Sequence, residues 1–172
     1  RAPMCLFAKG NLALADSSAV GFAGARGASD SAIEFVMLCA RLAAGQGLTV
    51  VTGLARGVDL EASLAALGAG GSVVGYPVEP WARLLRNGAI ADALESERLL
   101  LLSSFLPSTP FQVGLAMSRN RLIYAHAQCT LVAAVVPGSG GTWGGATEAL
   151  ELGLGPIFVA EPKGPDAGTD AL

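Results

Sequence analysis

The sequence predicts a single α/β domain, a doubly wound and mostly parallel sheet with helices on both faces. Three observations predict it. Short apolar runs alternate with stretches of helical period, so that strand, glycine loop and helix recur along the 172 residues. Hydrophobic residues make up 52% and charged residues 15% of the chain, with mean hydropathy +0.52, which suits strands buried on both sides. The connections between strands are long enough for parallel pairing through right-handed crossovers.

The elements follow in order. Residues 19–23 (AVGFA) form a first strand, closed by Gly24-Ala25-Arg26-Gly27. Ser29 or Asp30 caps a helix through Ala44, with Ile33, Val36, Met37, Ala40 and Leu42 supplying most of its apolar face. Gly45-Gln46-Gly47 stops it. Residues 48–52, rich in β-branched side chains, are a second strand. A glycine loop then leads into a helix from Asp59 to about Leu67, and residues 72–76 are a third strand. A helix near Pro80 and another over 89–97 precede the fourth apolar run, 99–103.

A proline-containing loop at 105–110 is followed by a helix over 113–127. Residues 129–136 are the fifth and most apolar strand. The glycine turn 137–142 opens a helix over 143–152, and 156–160 is a last strand. Residues 1–160 thus read as one Rossmann-like domain, and 161–172 as a polar, frayed tail.

Composition narrows the functions. A net charge of −3 and a pI near 5.1 exclude a surface that is basic all over, so any nucleic-acid contact has to come from a local cluster of arginines. Cys5, Cys39 and Cys129 are odd in number and widely spaced, as expected of small core residues in a reducing compartment. No His/Cys/carboxylate set has metal-ligand spacing, so neither metal nor cofactor is expected. No apolar run reaches the roughly 18 residues that cross a bilayer. No signal peptide is visible, Arg1 is not a native start, and the cytoplasm is the expected location.

Three loops can hold an anion. The first, Gly24-Ala25-Arg26-Gly27-Ala28-Ser29, joins a strand to a helix N-terminus, where free N–H groups and the helix dipole favour negative charge. Arg26 adds a planar fork suited to phosphate. The second, Gly53-Leu54-Ala55-Arg56-Gly57-Val58-Asp59, repeats that plan; Asp59 either caps the helix and orients Arg56 or contacts a ribose or base. The third, with Gly138, Ser139, Gly140, Gly141 and Thr142, suits an anion nest flanked by hydroxyls but lacks the lysine of a P-loop.

Each of the three is also an ordinary tight turn between a strand and a helix. Arg119 and Arg121, around Asn120, do not share a helix face; the spacing suits a helix start, with one arginine ion-paired and the other turned to a ligand. Trp143 either stacks on a base or anchors its helix. His126, the sole histidine, reads as a core or surface residue, and no catalytic set is assembled around it.

In order and spacing, the GAR loop, the string Val51-Thr52-Gly53-Leu54-Ala55-Arg56-Gly57-Val58-Asp59 and Arg119-Asn120-Arg121 resemble the DNA-processing protein A (DprA/Smf) family, as does Leu6-Phe7-Ala8-Lys9-Gly10-Asn11-Leu12 upstream. The resemblance implies an extended Rossmann fold that binds single-stranded DNA, a recombinase partner and a homodimer. It makes Arg26 a principal phosphate contact, with Arg56, Arg119 and Arg121 shaping the pocket. The chain departs from the family pattern at Ser63, at Ser103-Ser104, at Ala133-Ala134 and in the third loop. That loop resembles the lonely-guy phosphoribohydrolases, whose catalytic glutamate lies closer to its threonine than Glu148 does to Thr142.

The expected function is therefore single-stranded-DNA binding without turnover. The alternatives are a carrier of a nucleotide or phosphorylated small molecule and, third, a nucleotide phosphoribohydrolase.

Overall fold

Successive side chains of a strand point to opposite faces of the sheet, and strands buried on both sides meet helices on each. The computed structural model describes residues 3–135 and 138–160, so Val136, Pro137 and the expected tail at 161–172 lie outside the described residues. Six parallel strands form the sheet: β2 (Ala19–Gly24), β3 (Thr49–Thr52), β4 (Val73–Gly75), β5 (Leu99–Ser103), β6 (Cys129–Ala133) and β7 (Ile157–Val159). A further strand, β1 (Phe7–Gly10), lies antiparallel on the edge against β5, with Phe7 opposite Ser103 and Gly10 opposite Leu100. Its residues are exposed and show no buried alternation, so sequence pattern alone does not reveal it.

Phe22, Val50, Val73, Leu99 and Leu101 point to one face. There they meet α1 (Asp30–Gly45), α2 (Val58–Gly68), α3 (Trp81–Leu84) and α4 (Gly88–Glu95). Their neighbours Ala19, Val51, Val74 and Leu100 turn to the other face, under a 3-10 helix at Leu12–Asp16 and α5 (Val113–His126). α6 (Gly140–Glu151) closes that face beside α5, over Ala23 and Val132. The sheet is therefore doubly wound.

Strand order is β1-β5-β4-β3-β2-β6-β7. From β2 the chain leaves through α1 to one side and later returns to β6 on the other. This reversal opens a crevice beyond the carboxyl ends of β2 and β6, the place where ligands bind in open α/β sheets.

Three expectations need correction. Leu42 does not join the buried face of α1; it is 61% exposed, and the contact is carried by Ala32, Val36 and Ala40. Cys5 is exposed and the other two cysteines are half-buried, so none is a fully buried core residue. The last helix starts at Gly140, three residues before Trp143. His126 is tied down away from the crevice, its Nδ1 2.7 Å from the Tyr76 hydroxyl, and burial lowers its pKa. Among the described residues no helix is long and apolar enough to cross a membrane.

Candidate functional site

The loop after β3 is held by a buried polar network. The Leu54 N–H donates to Thr52 Oγ1 (3.0 Å), and the Ser63 hydroxyl donates to the Asp59 carbonyl (2.8 Å). Ser63 has thereby used its one proton, so the 2.9 Å contact between Thr52 and Ser63 is donated by Thr52. Ser63 is thus a buried strut. The Asp59 carboxylate accepts from the Gly53 N–H at 3.1 Å. These bonds hold Leu54 at φ 51°, an unfavourable value for a residue with a side chain.

Gly57 sits at φ 90°, and a Cβ there would lie 2.5 Å from the Ala25 carbonyl. Glycine at this position lets the second loop lie against the backbone of the first. Gly57 also occupies the N-cap of α2 without a side-chain bond, so Asp59 is not the cap. Nor does Asp59 orient Arg56. Its charged partner is Arg119 on α5, at 3.8 Å.

Arg119 is 5% exposed and its guanidinium covers Gly53, where a Cβ would fall 1.5 Å from Nη1. At 3.8 Å its pairing with Asp59 is ionic and too long for a hydrogen bond. Nε and Nη1 have no hydrogen-bond partner among the described residues. Burial pulls the Arg119 pKa down, the Asp59 charge opposes that, and nearby Arg26 adds to it. Burial raises the Asp59 carboxyl above the usual aspartate value, while Arg119 and backbone N–H groups pull it back. The pair forms a charged floor.

Above that floor lie two adjoining clefts. One, of about 370 Å³, lies at the strand-order reversal, between the loop after β2 and the first turn of α6. Gly24, Arg26, Ser139, Gly140, Gly141 and Thr142 line its polar side. Ser139, the N-cap of α6, makes no side-chain bond to that helix's first turn. Phe111, Val113, Ala116 and Met117, from the start of α5 and the segment before it, supply apolar lining to the same cleft. The second cleft, of about 660 Å³, continues past Arg26 to Arg56, Val78, Glu79 and Arg83. Arg26 divides the two, its Cζ lying 4.8 Å from the centre of the Phe111 ring.

The tertiary structure sorts the expected site residues. Gly24, Arg26, Gly53, Arg56, Asp59, Arg119, Asn120, Ser139, Gly140, Gly141 and Thr142 all line one cleft or the other. Ser29 lies off both walls and caps α1, accepting from the Ala32 N–H. Arg119, Asn120 and Arg121 occupy the middle of α5 and not a helix start. Asn120 donates to the Gly141 carbonyl at 3.0 Å and so ties α5 to α6. Arg121 points outward and pairs with Glu148 at 2.6 Å, so Glu148 also lies off both walls. Trp143 packs on the cluster around Tyr124 and Val132, the anchoring alternative.

The apolar wall of Phe111, Val113 and Met117 escapes sequence reasoning. The only local signal is an aromatic between Pro110 and a helix start, with nothing to say that it faces a glycine loop.

A family model for DNA recombination-mediator protein A matches residues 1–166. The X-ray structure of DNA processing protein A from Streptococcus pneumoniae is similar at 27% identity and a TM-score of 0.82, over 98% of this chain and 59% of that one. The chain therefore spans somewhat more than half of that protein. DNA processing protein A from Helicobacter pylori, a protein described with a single-stranded DNA binding mode, shares the fold at 23% identity and a TM-score of 0.83, over 100% of this chain and 79% of that one. The molybdenum cofactor carrier protein of Chlamydomonas reinhardtii shares the fold more distantly, at 19% identity and a TM-score of 0.55, over 90% of this chain and 94% of that one. None of the curated proteins matches the chain.

Proposed function

The chain belongs to the DNA recombination-mediator protein A family, and we propose that it binds single-stranded DNA in the two adjoining clefts at the carboxyl ends of its parallel strands. The observation that carries this reading is the mixed lining of the first cleft. Gly24, Arg26 and the first turn of α6 offer N–H donors and positive charge, while Phe111, Val113 and Met117 offer apolar surface in the same cleft. A phosphate fits the first set of groups and a base the second. The apolar wall carries no hydrogen-bonding side chain, so bases are held by stacking and not read by their edges.

Past Arg26 the path continues over Arg56 toward Arg83, giving the backbone of a longer strand somewhere to run. The local arginines supply an attraction that the overall charge of −3 does not. Binding is accordingly salt-sensitive and confined to this groove. Turnover is not part of the proposal, because Glu148 is paired outside the clefts with Arg121. The recombinase partner and the homodimer that the family resemblance implies belong to the same proposal.

The size of the first cleft, about 370 Å³, also favours a second reading, a carrier of one nucleotide or a similar phosphorylated ligand. Titration with fluorescent oligothymidylates of increasing length separates the two. Affinity that rises with length and falls in Arg26→Ala supports DNA binding. Unchanged affinity in that variant removes the proposed contact. A mononucleotide that competes as well as an oligomer selects the carrier.

A further inference from the structure

Arg119 has hydrogen-bonding capacity that the fold leaves unused. It is 5% exposed and lines both clefts, and its Nε and Nη1 have no hydrogen-bond partner among the described residues. Asp59 balances its charge at 3.8 Å but lies too far away to accept from it. Buried donors in this state cost free energy, and an anion in the cleft recovers it. Arg26, whose positive charge lowers the Arg119 pKa, lines the same cleft. So do Thr142 and the first turn of α6, to which the N-cap Ser139 makes no side-chain bond. The N–H groups of such a turn have no partner within their own helix.

Given the single-stranded-DNA reading above, on which this inference rests, we propose that the first cleft holds the phosphomonoester at the end of a strand in preference to the phosphodiesters within it. Charge favours the end. With Arg119 balanced by Asp59, the cleft keeps the charge of Arg26 and roughly half a positive charge from the N-terminus of α6. A diester brings one negative charge, whereas a monoester brings about 1.5 to 2 at neutral pH. The donors favour the end as well. A monoester offers three free oxygens to them and a diester two, and each bond to a charged oxygen is a strong one.

The path open to a strand agrees with this. Arg26, Ala55, Phe111 and Arg119 line both clefts, so a strand seated in the first continues past Arg26 into the second. Asn120 donates to the Gly141 carbonyl at 3.0 Å, and a Cβ on Gly145 would lie 2.9 Å from Asn120 Nδ2. α5 and α6 therefore close on each other at that point, and no strand passes between them there. A strand that stops in the first cleft needs no second way out. Its terminal phosphate meets Arg26 and Arg119, and its terminal base meets Phe111, Val113 and Met117.

Anisotropy competition on the full chain tests this with oligothymidylates of one length that end in a 5′-phosphate, a 3′-phosphate or hydroxyls alone. At least one phosphorylated end should bind about tenfold tighter than the hydroxyl form, the scale of a hydrogen-bonded charge. Methylating that phosphate removes a charge and a free oxygen and should abolish the gain. Arg119→Lys keeps the charge but loses the planar fork, and should cut the gain to about twofold. The ligands are compared on the wild type, so the result does not depend on that variant folding. Equal affinity for all three ends, or a gain that survives methylation or Arg119→Lys, overturns the end recognition and leaves strand binding standing. A thymidine monophosphate that competes as well as the phosphorylated oligomer overturns the strand reading, and the strand end with it.

Discussion

The Asp59 carboxylate and the Arg119 guanidinium face each other at 3.8 Å beneath the clefts, the two charges buried together and joined to the Gly53 loop. Removing one charge strands the other. Arg119→Met should cost about 3–5 kcal/mol of folding stability, and adding Asp59→Asn should return part of it. The folded-state carboxyl already lies above its ordinary value because of burial, and without Arg119 it rises further. An aspartate whose folded pKa exceeds its unfolded one binds its proton more readily when folded. Its penalty is therefore absent below the unfolded value of 3.8 and grows as pH rises toward the folded value. Urea melts at acidic and neutral pH should show a larger Arg119→Met deficit at neutral pH. An equal deficit at both contradicts the assignment.

Gly53→Ala tests the same floor from the backbone side. The added methyl falls 1.5 Å from Arg119 Nη1, so the guanidinium has to leave its place over the loop. We expect a loss of about 1–3 kcal/mol together with weaker binding to DNA. The second effect matters more, since it reports displacement of a positive group that lines both clefts. Circular dichroism melts and anisotropy titrations measure the two separately.

Phe111 presents its ring to the cleft with Arg26 over its face. Phe111→Ala should weaken single-stranded-DNA binding by about 1–3 kcal/mol, the usual range for a lost stacking platform. The loss should be similar for oligothymidylate and oligoadenylate, because the wall has no group that distinguishes base edges. A loss confined to one base points to a reader elsewhere.

Arg26 and Arg121 should differ although both are exposed arginines. Arg26→Ala is expected to lower affinity across sequences and to reduce the slope of log affinity against log salt by about 1. Arg121→Ala breaks an exposed pair with Glu148, off the cleft walls, and should leave that slope unchanged. Salt titrations of both variants decide it.

What the sequence determined by itself is local. Apolar runs such as Leu99–Ser103 and the β-branched stretch at β3 set the strands, and the glycines after β2, β3 and β6 mark loops at their ends, because these signals act within a few residues. Only the tertiary structure decided which face each side chain turned. Arg119 and Arg121, two positions apart on one helix, went to the buried floor and to the surface. Strand order brought the loop after β6 beside the loop after β2, and so placed Gly140 in one cleft with Arg26 and Phe111. It also gave β1 its place against β5 and left Phe35, Leu38 and Leu42 uncovered on α1. The physical reason is one and the same: burial and charge pairing join residues far apart in the chain, and helical or strand period does not encode which distant element they will meet.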